Sequence, residues 1–299
     1  MRKTTTEFAG RKVYKVRFSG IYDLYEYLKS NPPVNPIFTS ENQAFKGEQA
    51  SLTGSKDFAG EPLDVAIEYL LRGYKKDFES FVNTNKKLTS GLRVPEIYEE
   101  KRSPYVGTPI SSLVAAGVFD CRVVNEQVEE VIAKNIYYNL SYPHYTRWDQ
   151  VRNRGIATLA MIQALEERNV FVNFKAFELS RCNDEIFHFS IDLKKPGEKI
   201  NLQKIYFLMV AKEFLRRVLF RVLESSDVED YEWTDGYGES FVQRECEEYF
   251  KTKKNDIVIT RPQDLSITGD DIYEDTINMY EKLGLDKELN VNKLRKLGH

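Results

Sequence analysis

The spacing of hydrophobic and polar residues changes several times in the second half of the chain, and these changes predict alternating strands and helices. Asn135–Leu140 and Val170–Leu179 are runs of apolar and aromatic residues typical of buried strands. Between them, Asp149–Asn169 carries apolar residues on most of its circumference, which indicates a helix packed between other elements. Glu185–Leu193 alternates strictly, and Asn201–Glu224 has apolar residues at helical spacing. This order predicts a Rossmann-like α/β sheet with an antiparallel hairpin at its edge.

The rest of the chain is patterned less regularly. Further strands are predicted at Lys12–Phe18, Phe119–Val124 and Asp256–Thr260. Further helices are predicted at Ile21–Leu28, from about Glu61, at Lys75–Lys87, at Gly107–Ala116 and at Asp270–Leu283. Polar residues 34–60 are typical of a long loop.

These elements divide the chain into two parts. We predict a smaller α+β region at residues 1–125 and a Rossmann-like α/β domain at residues 126–299. Within the second part, residues 225–250 are acidic and aromatic, and we interpret them as an insertion that leaves the sheet.

Composition narrows the class of protein. The chain of 299 residues has a net charge of −3, whereas proteins that bind duplex nucleic acid broadly are usually basic. Cys121, Cys182 and Cys246 are far apart and form no C-x-x-C pair, which favours free thiols in a reducing compartment. The N-terminus lacks the apolar part of a signal peptide, and no apolar run approaches the ~18 residues of a membrane span. We therefore expect an intracellular protein that does not enter a membrane.

Several short motifs resemble a family of phage-encoded proteins without an established activity. The matching stretches are Asn153–Ala157, Ala164–Glu166, Phe214–Arg217 with Phe220, Arg221 and Glu224, and Asp256–Ile259, joined by Phe18–Gly20, Val94–Glu96 and Gly107–Pro109. The resemblance implies a phage or prophage origin and a place of action in the cytoplasm of the bacterial host.

The order of elements after residue 126 also resembles a von Willebrand factor A-type domain. That family carries Asp-x-Ser-x-Ser after its first strand, and the motif holds Mg²⁺. The corresponding stretch here is Asn139–Pro143, in which Asn139 replaces the aspartate and Pro143 replaces the second serine. Because a hard cation prefers anionic oxygen ligands, the resemblance implies a domain without the metal, and we predict neither a metal nor a cofactor.

The loop after Asn135–Leu140 is the first candidate functional site, because open α/β sheets place their sites at the carboxyl ends of strands. The loop and the following helix supply six candidate binding residues: Tyr142, His144, Arg147, Trp148, Arg152 and Arg154. His144 as a general base is one interpretation, although no serine or cysteine in a nucleophile context accompanies it. A binding loop and plain structural packing are the alternatives. The other internal histidine, His188, is expected to be solvated on the polar face of its strand.

Five arginines form a second candidate site, a patch for phosphate or nucleic acid: Arg152, Arg154, Arg216, Arg217 and Arg221. Arg147, Arg152 and Arg154 also lie near a predicted helix N-terminus, where an anion is favoured. Carboxylates close in sequence are natural partners for these arginines, namely Asp149, Glu166, Glu167, Glu213 and Glu224. Surface arginines paired with carboxylates are therefore the favoured interpretation.

The third candidate is the acidic segment Asp227–Glu248, which carries Tyr231, Trp233 and Tyr237 among many carboxylates. Its charge could mimic that of a nucleic acid, and a solvated loop is the plainer interpretation. The interleaved aromatic residues favour a protein interface, because such side chains often anchor binding.

Nucleotide-binding glycine motifs, H-E-x-x-H and zinc-type cysteine patterns are all missing from the sequence. We therefore expect a non-enzymatic phage protein that binds a host or phage macromolecule, for example as an inhibitor of a host defence or regulatory protein. One alternative is nucleic-acid binding through Arg147, Trp148, Arg152 and Arg154. Another is an enzyme acting on a small phosphorylated ligand, which requires a polar pocket with a perturbed titratable group at the end of Asn135–Leu140. Association with a second copy of the chain is left open.

Overall fold

A computed structural model of the chain describes most of its residues. The described ranges are 1–39, 49–92, 98–103, 108–109, 115, 117, 122–127, 132–229, 239–286, 289 and 291–296. Tyr231, Trp233 and Tyr237, three of the candidate binding residues, lie outside them.

Within the described ranges the chain forms ten strands and eleven α-helices, together with a 3₁₀ turn at Pro36–Phe38 and a π-helix at Phe214–Leu219. The strands are β1 Arg2–Phe8, β2 Arg11–Phe18, β3 Tyr98–Ser103, β4 Thr108–Pro109, β5 Arg122–Gln127, β6 Ile132–Asn139, β7 Val170–Cys182, β8 Glu185–Lys194, β9 Glu239–Ser240 and β10 Asp256–Ile259. The helices are α1 Ile21–Lys29, α2 Ala50–Thr53, α3 Lys56–Ala59, α4 Leu63–Arg72, α5 Phe78–Leu92, α6 Trp148–Glu166, α7 Leu202–Val210, α8 Phe220–Glu224, α9 Gln243–Phe250, α10 Ile272–Lys282 and α11 Val291–Arg295.

The main sheet has seven strands in the order β1-β2-β8-β7-β6-β10, with β9 paired to the edge of β7. The pairs β2–β8, β6–β7 and β6–β10 are parallel, and β1–β2, β7–β8 and β7–β9 are antiparallel. The predicted mixed α/β sheet and its antiparallel β7–β8 hairpin are confirmed. The predicted position of the hairpin at the edge of the sheet is wrong, because β8 also pairs with β2. A separate three-stranded sheet has the order β3-β5-β4.

The first two strands were expected to belong to a region of their own, and the structure pairs them with the main sheet. β2 joins β8 in a parallel register that runs from Lys12↔Glu185 to Phe18↔Ile191. Residues as far apart as Tyr14 and Leu294 share one hydrophobic core. The described parts of residues 1–125 therefore contribute both to this sheet and to its core.

Helices cover both faces of the main sheet. On one face α6 packs against α5, α7 and α10, and it is buried on nearly its whole circumference, as its apolar pattern predicted. On the other face α9 covers a smaller core, in which its Tyr249 and Phe250 pack against Phe177 and Leu179 of β7. A sheet covered on both faces buries both sets of alternating side chains, and this explains the largely apolar sequence of β7.

The single helix predicted for Asn201–Glu224 is wrong, because the chain breaks there into α7, the π-helix and α8. Ala211 has an extended backbone and ends α7. The Tyr138 hydroxyl donates to the Met209 carbonyl at 3.2 Å, so this carbonyl has a partner outside the helix. Gly155 of α6 approaches so closely that a Cβ there would lie 2.8 Å from Val210. The break therefore lies where α7 contacts both β6 and α6.

Two other predictions are corrected. Residues 34–60 are not one loop, since they contain the 3₁₀ turn, α2 and α3. Thr108–Pro109, which was predicted to open a helix, forms β4; Ala115 is helical, and most of the predicted helix lies outside the described residues. Short amphipathic turns and two-residue strands carry too few residues for a periodic signal, and this is why the sequence pattern missed them.

His188 is buried, and its predicted exposure is wrong. Its strand does alternate, but α9 covers the face that carries His188. The Tyr249 hydroxyl and His188 Nδ1 are 2.8 Å apart and share a hydrogen bond. Burial, together with the nearby charge of Lys15, lowers the pKa of His188 to about 3. The acidic segment that was interpreted as an insertion thus supplies, in α9, one layer of the fold.

Candidate functional site

At β6 the helices that connect to the two neighbouring strands lie on opposite faces of the sheet. From β6 the chain passes through α6 to β7 on one side, and β10 pairs with β6 on the other side. The connection into β10 passes through α9 on the opposite face. In open α/β sheets ligands bind at such a switch point, just outside the carboxyl ends of the strands. The candidate site therefore begins at the last residue of β6.

Asn139 ends β6 and fixes the start of the loop. Its Oδ1 accepts hydrogen bonds from the Ser141 backbone nitrogen at 3.0 Å and from the Ser141 hydroxyl at 2.7 Å. Leu140 donates from its backbone to Phe177 of β7 at 2.7 Å, which extends the pairing of the two strands by one residue. The Nδ2 group of Asn139 is buried and has no partner among the described residues. The loop thus leaves a free donor at the end of the strand.

Arg154 is 0% exposed, and its expected place in a surface patch is wrong. Its Nε donates to the Tyr138 hydroxyl at 3.0 Å, and its Nη1 donates to the Thr260 carbonyl at 2.6 Å, just beyond β10. The guanidinium carbon lies 4.5 Å from the centre of the Tyr138 ring. Both partners are neutral oxygens, and Nη2 is buried without a partner within the described part of the chain. A buried cation whose partners carry no charge is costly, and this makes Arg154 a candidate for a role beyond packing.

Glu178 is a second buried ionisable group beside the same strand end. It lies on β7, and burial raises the pKa of its carboxyl to about 8, even though the Arg216 charge and a hydrogen bond with Ser180 act in the opposite direction. Its Oε2 is buried and unpaired among the described residues. A carboxyl with a pKa near 8 carries its proton at neutral pH, so it can donate a hydrogen bond or a proton.

Arg216, in the π-helix, lies between this carboxyl and three aromatic rings. Its guanidinium carbon is 4.3 Å from the centre of the Phe58 ring, 5.6 Å from that of Phe220 and 5.8 Å from that of Tyr142. Burial lowers the pKa of Arg216, which nevertheless stays charged at neutral pH. Burial raises the pKa of the Tyr142 phenol, and the nearby charges of Arg216 and Arg154 partly offset this rise. Tyr142 therefore connects the two arginines.

We call these six residues the polar edge cluster: Asn139, Ser141, Tyr142, Arg154, Glu178 and Arg216. Two members, Tyr142 and Arg154, are among the predicted binding residues, and Glu178 was missed. One signal could have identified Glu178: it is a carboxylate within a largely apolar strand, next to the end of β6. Such residues are rarely buried without a reason, and perturbed titratable groups concentrate at functional sites.

Arg217 and Arg221 lie outside the cluster and outside any surface patch. Arg217 is buried and donates to four backbone carbonyls, those of Ser51 at 3.0 Å, Gly54 at 2.7 Å, Gly60 at 3.4 Å and Glu61 at 3.0 Å. Arg221 is buried and donates to the Pro32 carbonyl at 2.6 Å. Neither the predicted phosphate patch nor the alternative of paired surface arginines holds for these two residues, which instead connect remote loops to the helices that carry them.

The remaining predicted residues lie on the exposed part of the same loop and on the outer side of α6. His144 and Tyr145 are exposed, with ring centres 5.5 Å apart. Trp148 is 37% exposed, and the Arg152 guanidinium carbon lies 5.7 Å from the centre of its ring. Arg147 instead pairs with Asp270, at 2.6 Å. The structure thus separates an exposed aromatic surface from the buried polar edge cluster.

Metal-binding clusters and membrane-spanning helices are both missing from the described residues. No group of three or more His, Cys, Asp or Glu side chains in the described ranges is arranged to hold a metal ion. No helix within the part of the chain that the structure describes is both long and apolar enough to cross a bilayer.

The fold and the site define an α/β protein with a mixed seven-stranded sheet and a polar cluster at the carboxyl end of an interior strand. The chain belongs to a family described as a domain of unknown function, DUF7192, whose match covers residues 2–287. Neither a search of curated proteins nor a search of solved structures found a match.

Proposed function

We propose that this is a non-enzymatic, phage-encoded protein that binds a macromolecular partner in the bacterial cytoplasm through the exposed loop after β6. The observation that carries the proposal is the pair Tyr145 and Trp148, which are 67% and 37% exposed at the sheet edge where α/β proteins bind. Large aromatic side chains are enriched at protein interfaces, where they supply contact area with few rotatable bonds. The partner we favour is a host protein, such as a defence or regulatory protein that the phage inhibits.

The chemistry around the loop supports recognition without a metal. The Oδ1 atom of Asn139, at the position of the metal-binding aspartate in von Willebrand A-type domains, already accepts two hydrogen bonds from Ser141. Its remaining polar group, Nδ2, is a donor and cannot ligate a cation. A domain of this type without the metal would keep the loop as a contact surface.

The test is affinity purification from phage-infected bacteria, with mass spectrometry for protein and sequencing for bound nucleic acid. The double variant Tyr145→Ala/Trp148→Ala should lose the captured partner at least tenfold. Tyr22→Ala is the matched control, because Tyr22 is 65% exposed on α1, and it should capture the partner as the unaltered protein does. Equal capture by the double variant would overturn the proposal, and captured nucleic acid without protein would support the alternative of a nucleic-acid binder.

A second candidate function rests on the polar edge cluster. The raised pKa of Glu178, the charge of Arg216 and the unpaired donor of Arg154 are groups that suit a small anionic ligand, including a phosphorylated substrate. Inorganic phosphate and a panel of mononucleotides should then raise the melting temperature of the protein but not that of Arg216→Gln. If no compound in the panel distinguishes the two proteins, this candidate fails while the loop proposal is untouched.

A further inference from the structure

A pocket of about 470 Å³ lies away from the sheet edge, between α4 with its following turn and the residue that precedes the π-helix. Its volume is within the range of small-molecule sites. The residues that matter for its chemistry are Tyr69, Tyr74 and Glu213, while Arg72, Lys75 and Lys76 stand among its other lining residues. Neither the exposed loop nor the polar edge cluster includes any of them.

Glu213 is the unusual member of this lining. It is only 5% exposed, and its Oε1 accepts a single long hydrogen bond, from the Glu61 backbone nitrogen at 3.3 Å. Its Oε2 is buried and has no partner among the described residues. An ionised carboxylate with an unfilled oxygen costs free energy unless a cation or a donor reaches it.

The carboxylate is also held in place by its surroundings. Gly60 has a φ of +76°, and a Cβ at this position would lie 2.3 Å from Oε1 of Glu213. Only glycine therefore leaves room for the carboxylate here. Burial raises the pKa of both Tyr69 and Tyr74, and the charge of Glu213 adds to this rise. Glu213 therefore lies near both phenols.

The other two carboxylates of the pocket already have cations. Glu61 pairs with Lys56 at 2.8 Å, and Glu68 pairs with Arg72 at 3.3 Å. Glu213 is therefore the carboxylate of this lining that keeps an unfilled oxygen. Among the described residues, no salt bridge joins it to a cation of the protein.

Two aromatic rings line the same pocket as this carboxylate. Tyr69 and Tyr74 meet edge to face with ring centres 5.3 Å apart, and Phe207 packs against both, at 5.5 Å and 5.8 Å. Ring faces attract cations, and a carboxylate forms strong charge-assisted hydrogen bonds with an ammonium group. A carboxylate flanked by two phenols is thus suited to a primary ammonium ion, which can direct one N–H to Oε2 and its remaining surface to the rings.

We propose that this pocket binds a small organic amine, with its ammonium group on Glu213 beside the rings of Tyr69 and Tyr74. The volume fits a compound about the size of an amino acid. Lys75 and Lys76 in the lining repel further positive charge, so they favour a ligand with a single ammonium group and disfavour a polycation.

The test is isothermal titration calorimetry with butylammonium chloride, using sodium butyrate as the charge-reversed probe. We expect saturable one-to-one binding of butylammonium and no binding of butyrate. Glu213→Gln, which keeps the shape and removes the charge, should weaken binding at least tenfold. Glu79→Gln, an exposed change on α5 outside the pocket, should leave it unaltered.

A second variant guards against misfolding of Glu213→Gln. Tyr69→Leu keeps an apolar side chain at this position and removes the ring, so it should weaken binding severalfold while circular dichroism shows the native fold. Failure of the unaltered protein to bind butylammonium saturably would overturn the proposal. Equal affinity in Glu213→Gln and the unaltered protein would overturn it too.

Discussion

Arg154 donates a hydrogen bond from Nε to the Tyr138 hydroxyl at 3.0 Å while its guanidinium lies 4.5 Å from the centre of the same ring. The Tyr138 hydroxyl in turn donates a hydrogen bond to the Met209 carbonyl, where α7 ends. One buried pair therefore connects α6, β6 and the break before the π-helix. This arrangement makes Arg154 a structural group and, through its unfilled Nη2, a candidate functional one.

Replacing Arg154 should separate the contribution of its side-chain volume to stability from that of its hydrogen bonds. Arg154→Ala leaves a cavity and unpaired oxygens, so the free energy of unfolding should fall by about 3 kcal/mol. Arg154→Met fills the space without a charge and should cost less than about 1.5 kcal/mol, because buried cations are often replaced by apolar groups at little cost. Urea denaturation of the three proteins gives the comparison. A methionine variant as unstable as the alanine variant would show that the hydrogen bonds, and not the volume, dominate.

Glu178 should make the protein less stable as the pH rises. Its carboxyl keeps its proton up to about pH 8 in the folded protein, whereas in the unfolded chain it ionises near pH 4.3. The folded state thus binds more protons between these values, and stability falls across that window by roughly 4 to 5 kcal/mol. Glu178→Gln removes the titration, so its advantage over the unaltered protein should grow from pH 5 to pH 9.

The measurement is the free energy of unfolding of both proteins at several pH values between 5 and 9. Glu79→Gln on the exposed face of α5 controls for the loss of a carboxylate as such, and it should run parallel to the unaltered protein. A constant difference between Glu178→Gln and the unaltered protein would mean that the Glu178 carboxyl ionises in the folded state as it does in water.

His188 should act in the opposite direction at acid pH. Burial and Lys15 lower the pKa of the folded imidazole to about 3, while the unfolded histidine protonates near pH 6.5. The stability that the neutral ring contributes is therefore complete above pH 6.5 and is lost as the pH falls towards 3. In NMR spectra the His188 ring protons should not shift between pH 8 and pH 5. A normal titration of His188 would contradict the burial of this ring under α9.

The sequence pattern predicted the parts of the fold that carry strong periodicity. Apolar runs mark β6, β7 and β10, alternation marks β8, and α6 is apolar on most of its circumference. The order of these elements alone indicated the mixed sheet. β1 has no such signal, because its side chains are almost all exposed and Arg2–Phe8 reads as polar. Its position comes from backbone pairing with β2, which depends on the turn at Ala9 and Gly10.

The candidate site was predictable in place but not in composition. The end of β6 followed from the order of the elements along the chain, and Tyr142 from the loop. Glu178 and Arg216 are 38 residues apart in sequence (216 minus 178) and meet only because α7 ends at Ala211 and the chain enters the π-helix. The burial of Arg154 could have been predicted, since an arginine within a helix that is apolar on most of its circumference has little exposed face to occupy.

Arg217 should prove to be a clamp for residues 49–61 and not a ligand-binding residue. Its four charge-assisted bonds to the carbonyls of Ser51, Gly54, Gly60 and Glu61 match the fork of a guanidinium, which an ammonium group cannot reproduce. Arg217→Lys should therefore lower the free energy of unfolding by about 2 kcal/mol. It should also speed proteolytic cleavage within residues 49–61 under native conditions. Arg244→Lys on the exposed side of α9 should change neither measurement, and a stable, uncleaved Arg217→Lys protein would show that other contacts hold this segment.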